Sequence, residues 1–299
     1  MAQTETLHVP GDDAGSRLDR FLARALSVKV EHARALVEQG HVRIRGKTCS
    51  PHRKLFGGEE VVVLRAAPRV AAAAVDEPPL PVLHEDADCL IVNKPAGLAV
   101  EPSRPGAPSA LGAASRLGGF DVEGRAWPGL PHRLDRDTSG CLALARHDRA
   151  LAALRAAFEA GLVEKTYLAL VKGAPPEEDR LDTPYGRDPE DPRRFTGRFP
   201  SPRRARLSYR LRERLRGAAL LEVRLETGRT HQIRVQLAEA GFPVLGDGVY
   251  GVPGAGLARQ GLHALRLALP APSGAALAVE APIPDDLSRA LDALRRLSS

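Results

Sequence analysis

The chain has 299 residues, of which 43% are hydrophobic, which is enough for one large domain and a second, small one. No stretch approaches the roughly 18 uninterrupted apolar residues of a membrane-spanning helix, and the N-terminus lacks the basic start and apolar core of a secretory signal. Three scattered cysteines without a CxxC spacing argue against a disulfide framework or a structural zinc site. These features predict a cytoplasmic protein without membrane attachment.

The positive charge is concentrated near the N-terminus. The formal net charge of the whole chain is +6, and residues 15–67 alone hold eleven Lys and Arg against five Asp and Glu. A basic surplus in one small region is typical of proteins that bind a polyanion such as RNA.

Residues 1–14 are predicted to be a tail, either frayed or forming a short edge strand. A helix is expected to begin at Ser16, and a second should run from Glu31 to Gln39, with Gly40 in the left-handed position that follows a helix end. Alternating apolar residues then predict a strand through Val42 and Ile44, a turn at Gly46-Lys47, and another strand starting at Glu60.

The unit formed by residues 15–67 resembles the S4-like RNA-binding domain through the stretches RLDRFLARAL, ARALVEQGHVRIRGK and GGEEVVVL. The alternative is that its charges only solvate a helical face. The resemblance implies a small α/β domain whose second helix and following strand contact phosphates, here through Arg34, Arg43, Arg45 and Lys47.

Residues 68–81 are rich in Ala and Pro and predict a linker. Residues 82–299 then mix strand and helix patterns irregularly, with many Pro and Gly breaks and no repeating βαβ unit. This pattern predicts an α+β domain.

Three segments of this second domain carry candidate functional residues. The first, PHRLDRDTSG at residues 131–140, leads into the apolar strand CLALA; its acidic side chains could form a metal site, a salt-bridged turn or a catalytic carboxylate. The second, a strand from Glu164 to Val171, follows a helix predicted from Asp148 to Ala160 and directs Tyr167 to one face. The third alternates from Thr230 to Leu237 and predicts a strand with Arg234 on its polar face.

Together these segments resemble the RluA-like family of RNA pseudouridine synthases, through HRLDRDTSG, KTYLALVKG and TGRTHQIRVQL, with NKPAG and GDGVYG as two further matches. The resemblance implies a mixed, mainly antiparallel central sheet and no cofactor or metal. It also implies that Asp135 is the catalytic carboxylate, that Tyr167 stacks on the target base, that Arg234 holds Asp135, and that Arg133 fills the space the base leaves. Further substrate contacts are expected from Lys94, Arg229, His231 and Gln232. Gln236 and Glu101 stand where the family often has histidine.

Residues 186–206 contain seven arginines against three acidic residues. They predict either a flexible charged loop or a hairpin that clamps RNA phosphates through arginines such as Arg193 and Arg194.

The resulting hypothesis is a monomeric pseudouridine synthase acting on large-subunit (23S) ribosomal RNA. The alternatives are a transfer-RNA substrate, a non-catalytic RNA-binding or ribosome-assembly protein, and a metal-dependent hydrolase that uses Asp135 and Asp137.

Overall fold

The structure, a computed structural model, describes residues 3–26, 28, 30–38, 40–65, 78–104 and 106–298. The chain divides into two compact units, Met1–Ala72 and Ala73–Ser299. Most of the linker predicted at 68–81 lies outside the described residues, so its character stays a prediction. No helix in the described ranges combines the length and the apolar character needed to cross a membrane.

The first unit is an antiparallel sheet, in the order β1-β4-β2-β3, packed against two helices. Leu18 and Leu22 of the first helix and Val37 of the second share its core with Val42 and Val61 of the strands. The elements are β1 (Gln3–His8), α1 (Leu18–Ala25), α2 (Val30–Glu38), β2 (Val42–Ile44), β3 (Lys47–Thr48) and β4 (Glu60–Arg65).

Of the two forms expected for the N-terminal segment, the edge strand is the one observed, because β1 pairs along its whole length with β4. Two details of this unit differ from the sequence-based expectations. Helix α1 begins at Leu18 rather than at Ser16, whose hydroxyl donates to the Asp13 carbonyl at 2.6 Å instead of capping the helix. The turn between β2 and β3 consists of Arg45 and Gly46, both with positive φ, so Lys47 already belongs to a strand.

The second unit is built on a nine-stranded mixed sheet, which confirms the predicted α+β class with a mainly antiparallel sheet. The strand order is β5-β6-β7-β14-β8-β13-β12-β9, with β15 added to β14, and only the pair β7/β14 is parallel. Its strands are β5 (Val82–Glu85), β6 (Cys89–Lys94), β7 (Ser139–Ala145), β8 (Glu164–Lys172), β9 (Glu178–Pro184), β12 (Arg204–Leu215), β13 (Ala218–Leu225), β14 (Leu262–Pro270) and β15 (Ala276–Glu280).

Helices cover both faces of this sheet. α3 and α5 contribute to the core on the face that contains Tyr167, whereas α4 and α6 pack on the opposite face. Outside the main sheet, two short strands form a separate antiparallel hairpin. These elements are α3 (Ala110–Ser115), α4 (Asp148–Glu159), β10 (Gly186–Arg187), β11 (Phe195–Thr196), α5 (Gln232–Glu239) and α6 (Asp285–Ser298).

The segment from Thr230 to Leu237, predicted as a strand, is instead a turn followed by α5, which begins at Gln232 after its N-cap residue His231. Its alternation of polar and apolar residues predicts one solvent-exposed and one buried face, but every residue from Gln232 to Leu237 is buried. Because the segment has no solvent-exposed face, its alternation of polar and apolar residues does not indicate a strand. Ala238 and Glu239, which follow, have high helix propensity and favour the helix.

The helix expected from Asp148 to Ala160 is present, with one change at its start. His147 rather than Asp148 is the N-cap, and its Nδ1 accepts from Ala150 N–H at 3.2 Å. At the other end Gly161 has φ +72°, the conformation expected of a residue that closes a helix.

Candidate active site

The Asp135 loop lies between buried Leu134 and the start of β7. A turn closes behind Asp135, where the Thr138 N–H donates to the Asp135 carbonyl at 3.1 Å. Gly140 has φ +112°, and a Cβ at this position would collide with the carbonyl of Ala264 on the parallel strand β14. Only glycine therefore lets the loop enter the sheet here.

Lys94 holds this loop from inside the protein. Its side chain is fully buried, and its Nζ donates to the carbonyls of Pro95, Leu98 and Arg136, each at 2.8 Å. Burial lowers the pKa of Lys94 to about 7. Since an ammonium has three hydrogens and all three are engaged, the expectation that Lys94 contacts the substrate does not fit its geometry; it supports the loop instead.

A second buried cation supports the next residue of the loop. Arg259 donates from Nη1 to the Asp137 carbonyl at 3.1 Å, while its Nε and Nη2 bind Asp286 at 2.7 and 2.9 Å. Beside it, the Gln260 amide donates to the Thr138 hydroxyl at 2.9 Å. The backbone around Asp135 is thus fixed by hydrogen bonds from two separate parts of the chain.

Arg234 is the contact between α5 and Asp135. It is 5% exposed, and its Nη1 donates to Asp135 Oδ2 at 2.9 Å. Its Nε and Nη2 donate to the two oxygens of buried Asp247 at 2.6 and 2.9 Å, and Asp247 also accepts from the N–H groups of Val249 and Tyr250. Burial disfavours the Arg234 charge, but its bonds to Asp247 and the attraction of Asp135 outweigh this and raise its pKa.

Tyr167 lies on β8 in the core shared with Leu134 and Ile233, on the face predicted for it. Its side chain is only 8% exposed. Burial raises the pKa of its phenol, and the negative charge of Asp135 acts in the same direction. The structure therefore joins Asp135 to Arg234 by an ion pair and places Tyr167 in the core cluster that contains Leu134, the neighbour of Asp135, while the roles of the three residues stay predictions.

His231 lies next to Asp135 in the left-handed conformation, with φ +58°. Its Nε2 is 4.0 Å from Asp135 Oδ1, and its Nδ1 is 3.2 Å from the Tyr250 hydroxyl. The ring also makes edge contacts with Phe195 and Tyr250, at centroid distances of 6.0 and 5.7 Å. A substrate contact by His231 fits this position.

Gln232, by contrast, has no side-chain atom left for a substrate. It is 3% exposed; its Oε1 accepts from the Thr227 hydroxyl at 2.8 Å and the Arg229 N–H at 2.9 Å. Its Nε2 donates to the Arg206 carbonyl at 2.9 Å and to Gln236 Oε1 at 3.0 Å. The predicted substrate contact is therefore replaced by a structural one that fastens the loop before α5 to β12.

The remaining predicted substrate contacts are at the surface. Arg133 is 69% exposed, and its Nη1 is 3.9 Å from a carboxylate oxygen of Glu101, a weak surface pair. Arg229 is exposed and donates from Nε to the Arg204 carbonyl at 3.2 Å. Both guanidinium groups are available to a polyanion.

The arginine-rich segment contains a hairpin, β10–β11, and its clamping of RNA stays a prediction. Glu239, in the last turn of α5, accepts from the Thr196 hydroxyl at 2.5 Å and from Gly197 N–H at 3.0 Å, which docks the hairpin beside the site. A further contact comes from Phe195, whose N–H donates to the Tyr250 hydroxyl at 2.9 Å. Arginine side chains cover this aromatic cluster: Arg187 lies 4.4 Å from the Phe195 ring and Arg194 5.0 Å from the Tyr250 ring.

In the first unit, the predicted phosphate contacts differ in availability. Arg43, Arg45 and Lys47 are exposed on the β2–β3 hairpin. Arg34 instead donates a hydrogen bond to the fully buried carboxylate of Asp19 at 3.4 Å, so its guanidinium is partly engaged in stabilising the fold.

The sequence marks Asp247 and Tyr250 only as part of the GDGVYG match, without a role, and does not single out Arg259 or Tyr185, whose hydroxyl donates to the Thr230 carbonyl. One signal was available. A buried arginine needs a second carboxylate to balance its charge, and the GDG turn supplies one shortly after α5.

One group of three possible metal ligands occurs in the described part of the chain: His84, Asp86 and Cys89. Its members hydrogen-bond one another, with 2.9 Å between His84 Nε2 and Asp86 Oδ2. The group includes neither Asp135 nor Asp137, the carboxylates that the hydrolase hypothesis needs.

Comparison with known proteins identifies the class. Residues 88–239 match the family described as RNA pseudouridylate synthase, and residues 16–61 match the S4 domain. The chain belongs to the RNA pseudouridylate synthase family, whose members isomerise uridine in RNA to pseudouridine, and it carries an S4 RNA-binding domain. The predicted reaction, RNA partner and S4-like domain are thereby confirmed.

The names of individual relatives indicate the same class of enzyme. The chain is 42% identical to an RNA pseudouridine synthase of Chloroflexus aurantiacus, over 100% of this chain and 96% of the relative. It is 38% identical to the ribosomal large subunit pseudouridine synthase D of Xanthomonas campestris, over 97% and 92% of the two chains. Among solved structures, human RNA pseudouridylate synthase domain containing 4 matches with a TM-score of 0.58 and 25% identity, over 72% of this chain and 93% of the human one.

Proposed function

We propose that this protein converts uridine to pseudouridine in large-subunit ribosomal RNA, with Asp135 as its catalytic carboxylate. The observation that carries the assignment is the 2.9 Å bond from buried Arg234 to a carboxylate that keeps 22% of its side-chain surface exposed. A carboxylate oriented by a buried cation and still open to solvent can reach a substrate atom.

The reaction breaks the bond between N1 of uracil and C1′ of the sugar, turns the base, and joins C5 to C1′ with loss of the C5 proton. It needs a carboxylate that either attacks C1′ or removes a proton from the sugar. Asp135 can do either. Arg234 shares its positive charge between Asp135 and Asp247 and fixes the direction of Asp135, and the neutral Tyr167 ring, which is 8% exposed, is the aromatic group that we assign to the base.

The uridine must first leave its stack, which costs on the order of a few kcal/mol. Stacking on an aromatic side chain returns about 1–3 kcal/mol per base, and Tyr167 is the candidate platform. Arg133 is exposed near the mouth of the site and can occupy the gap left in the RNA.

Large-subunit ribosomal RNA is the proposed substrate because full-length relatives carry that substrate in their names. Two basic surfaces, the β2–β3 hairpin and the β10–β11 hairpin, suit a large folded RNA. We further propose that the protein acts as a monomer in the cytoplasm. A single-chain mass by light scattering and recovery in the cytosolic fraction would support this part; a dimer would contradict it.

Asp135→Asn tests the assignment, because it keeps the shape of the side chain and removes its charge. Release of tritium from RNA labelled at C5 of uridine should stop, while binding of the same RNA stays within a few-fold. Continued release by the variant would refute Asp135 as the catalytic group.

The substrate is tested separately by mapping pseudouridines in cells with and without the gene. Loss of sites in large-subunit ribosomal RNA supports the proposal. Loss confined to transfer RNA, or no loss at any site of large-subunit ribosomal RNA, would overturn the substrate.

A further inference from the structure

His231 and Tyr250 form a chain of contacts that runs from the arginine-rich hairpin to Asp135. Phe195 N–H donates to the Tyr250 hydroxyl at 2.9 Å, Tyr250 Oη is 3.2 Å from His231 Nδ1, and His231 Nε2 is 4.0 Å from Asp135 Oδ1. Asp135 Oδ2 is the oxygen bound to Arg234, so the chain ends on the other oxygen.

The hydrogens of this chain can be assigned from its donors and acceptors. Tyr250 Oη accepts the Phe195 N–H, and among the described residues His231 Nδ1 is the acceptor within hydrogen-bond distance of the hydroxyl, so we assign the hydroxyl hydrogen to a bond with Nδ1. A neutral imidazole that accepts at Nδ1 carries its proton on Nε2. The Nε2–H bond of His231 is then on the side of the ring that faces Asp135.

The neutral form is also the one that the surroundings favour. Burial lowers the pKa of His231, and the positive charges of Arg234 and Arg133 act in the same direction, while Asp135 and Asp247 oppose them. At neutral pH the ring therefore contributes a hydrogen-bond donor beside Asp135 rather than a second positive charge.

We propose that His231 is a positioning residue for the isomerisation: its Nε2–H, in the tautomer fixed by Tyr250, orients Asp135 Oδ1 while Arg234 holds Oδ2. The inference rests on the proposed role of Asp135. The distance of 4.0 Å is too long for a hydrogen bond, and such contacts commonly tighten when the substrate binds.

Two amide substitutions separate positioning from a merely structural role. In His231→Gln the amide nitrogen reaches the position of Nε2, whereas in His231→Asn the amide reaches only the position of Nδ1. Asparagine is the better residue at φ +58°, since it adopts the left-handed region readily. A structural role therefore predicts that Asn is the milder change, and the positioning role predicts the reverse.

The measurement is tritium release from in vitro transcribed large-subunit ribosomal RNA labelled at C5 of uridine, with kcat and KM determined separately. His231→Asn should lower kcat by about 10²-fold, as a misplaced catalytic group does, with KM changed by less than a few-fold. His231→Gln should keep most of the wild-type kcat. A kcat for His231→Asn equal to or above that of His231→Gln overturns the proposal.

A nitrogen–proton correlation spectrum of the histidines gives a second readout, with His231→Gln identifying the signal. Wild type should show His231 protonated at Nε2, and Tyr250→Phe, which keeps the ring over Arg234, should mix the two tautomers. Protonation at Nδ1 in the wild type would refute the assignment. If Asp135→Asn remains active, the proposed function itself is wrong. If Asp135→Asn is inactive and His231→Asn is fully active, only the positioning role of His231 is wrong.

Discussion

The guanidinium of Arg234 reaches Asp135 through Nη1 alone, because Nε and Nη2 are bound to Asp247 at 2.6 and 2.9 Å. Two parallel bonds to one carboxylate fix the plane of the guanidinium. The third bond, to Asp135, therefore has a direction set by Asp247, although 99 residues separate Arg234 from Asp135 in the chain.

Asp247→Asn should damage both stability and catalysis. It removes the buried countercharge of Arg234, and breaking a buried pair in this way costs about 3–5 kcal/mol of unfolding free energy. Arg234 should then shift toward Asp135, so kcat should fall far more than KM rises. Urea unfolding and steady-state tritium release measure the two effects.

The matched control is Glu213→Gln, which makes the same change in a two-point pair with Arg295, at 2.7 and 2.8 Å, on the protein surface. This variant should lose less than about 1 kcal/mol and keep wild-type kcat. If Asp247→Asn behaves like the control, Asp247 does not set the direction of Arg234.

The sequence predicts much of this site, because the residues that do the chemistry stand in distinctive local patterns. Asp135 and Arg234 were expected to meet, and they do. What the sequence did not reveal is the element that carries Arg234. Gln232, Arg234 and Gln236 alternate with apolar residues, which is the pattern of a strand with one solvent-exposed face. All three are instead buried and hydrogen-bonded within the protein, so their polarity does not indicate solvent exposure.

Lys94 illustrates the same limit. A lysine in a loop motif suggests a contact with phosphate, yet this ammonium is enclosed by the carbonyls of Pro95, Leu98 and Arg136. Those acceptors are backbone atoms, which every residue possesses. No choice of residue types along the chain therefore signals that the lysine will be buried.

Arg45 is a site where stability and RNA binding should change in opposite directions. It has φ +51° in a two-residue turn followed by Gly46, a position at which Asn is strongly preferred. Arg45→Asn should raise the unfolding free energy by up to about 1 kcal/mol, because the left-handed region costs Arg about 1–2 kcal/mol and Asn less, and it should weaken RNA binding through the lost charge. Thermal unfolding and filter binding measure the two quantities; unchanged RNA affinity would remove Arg45 from the RNA-binding surface.

The β10–β11 hairpin should contribute ionic contacts to RNA. Replacing Arg193 and Arg194 by Gln should weaken binding and reduce the slope of log affinity against log salt by about 1 to 2, since each lost phosphate contact accounts for about 0.7–0.9. The control replaces Arg212 and Arg214 of strand β12, which are paired with Glu222 and Glu177 as Arg193 is with Asp191, and removes the same total charge. Equal slopes for the two double variants would mean that only net charge matters and that the hairpin makes no specific clamp.

His132, three residues before Asp135, should make the fold sensitive to acid. Its ring stacks on Phe158 at 4.6 Å, and its Nε2 accepts the Ala143 N–H at 2.9 Å. Burial lowers the pKa of His132 from 6.5 to about 3, with the charge of Lys165 acting in the same direction. His132 of the unfolded chain therefore binds a proton near pH 6.5, whereas His132 of the folded protein binds it only near pH 3.

The contribution of His132 to stability is thus complete above pH 6.5 and is lost as the pH falls toward 3. Between pH 7 and pH 5 the loss should be about 1 kcal/mol, allowing for the part of the ring that water reaches. His231 and His263 also have lowered pKa values and change stability in the same direction. His132→Gln, which keeps an acceptor for Ala143 but does not titrate, isolates the contribution of His132. Its unfolding free energy should fall less than that of the wild type over this range, and parallel curves would mean that His132 takes up its proton at the same pH in the folded and unfolded states.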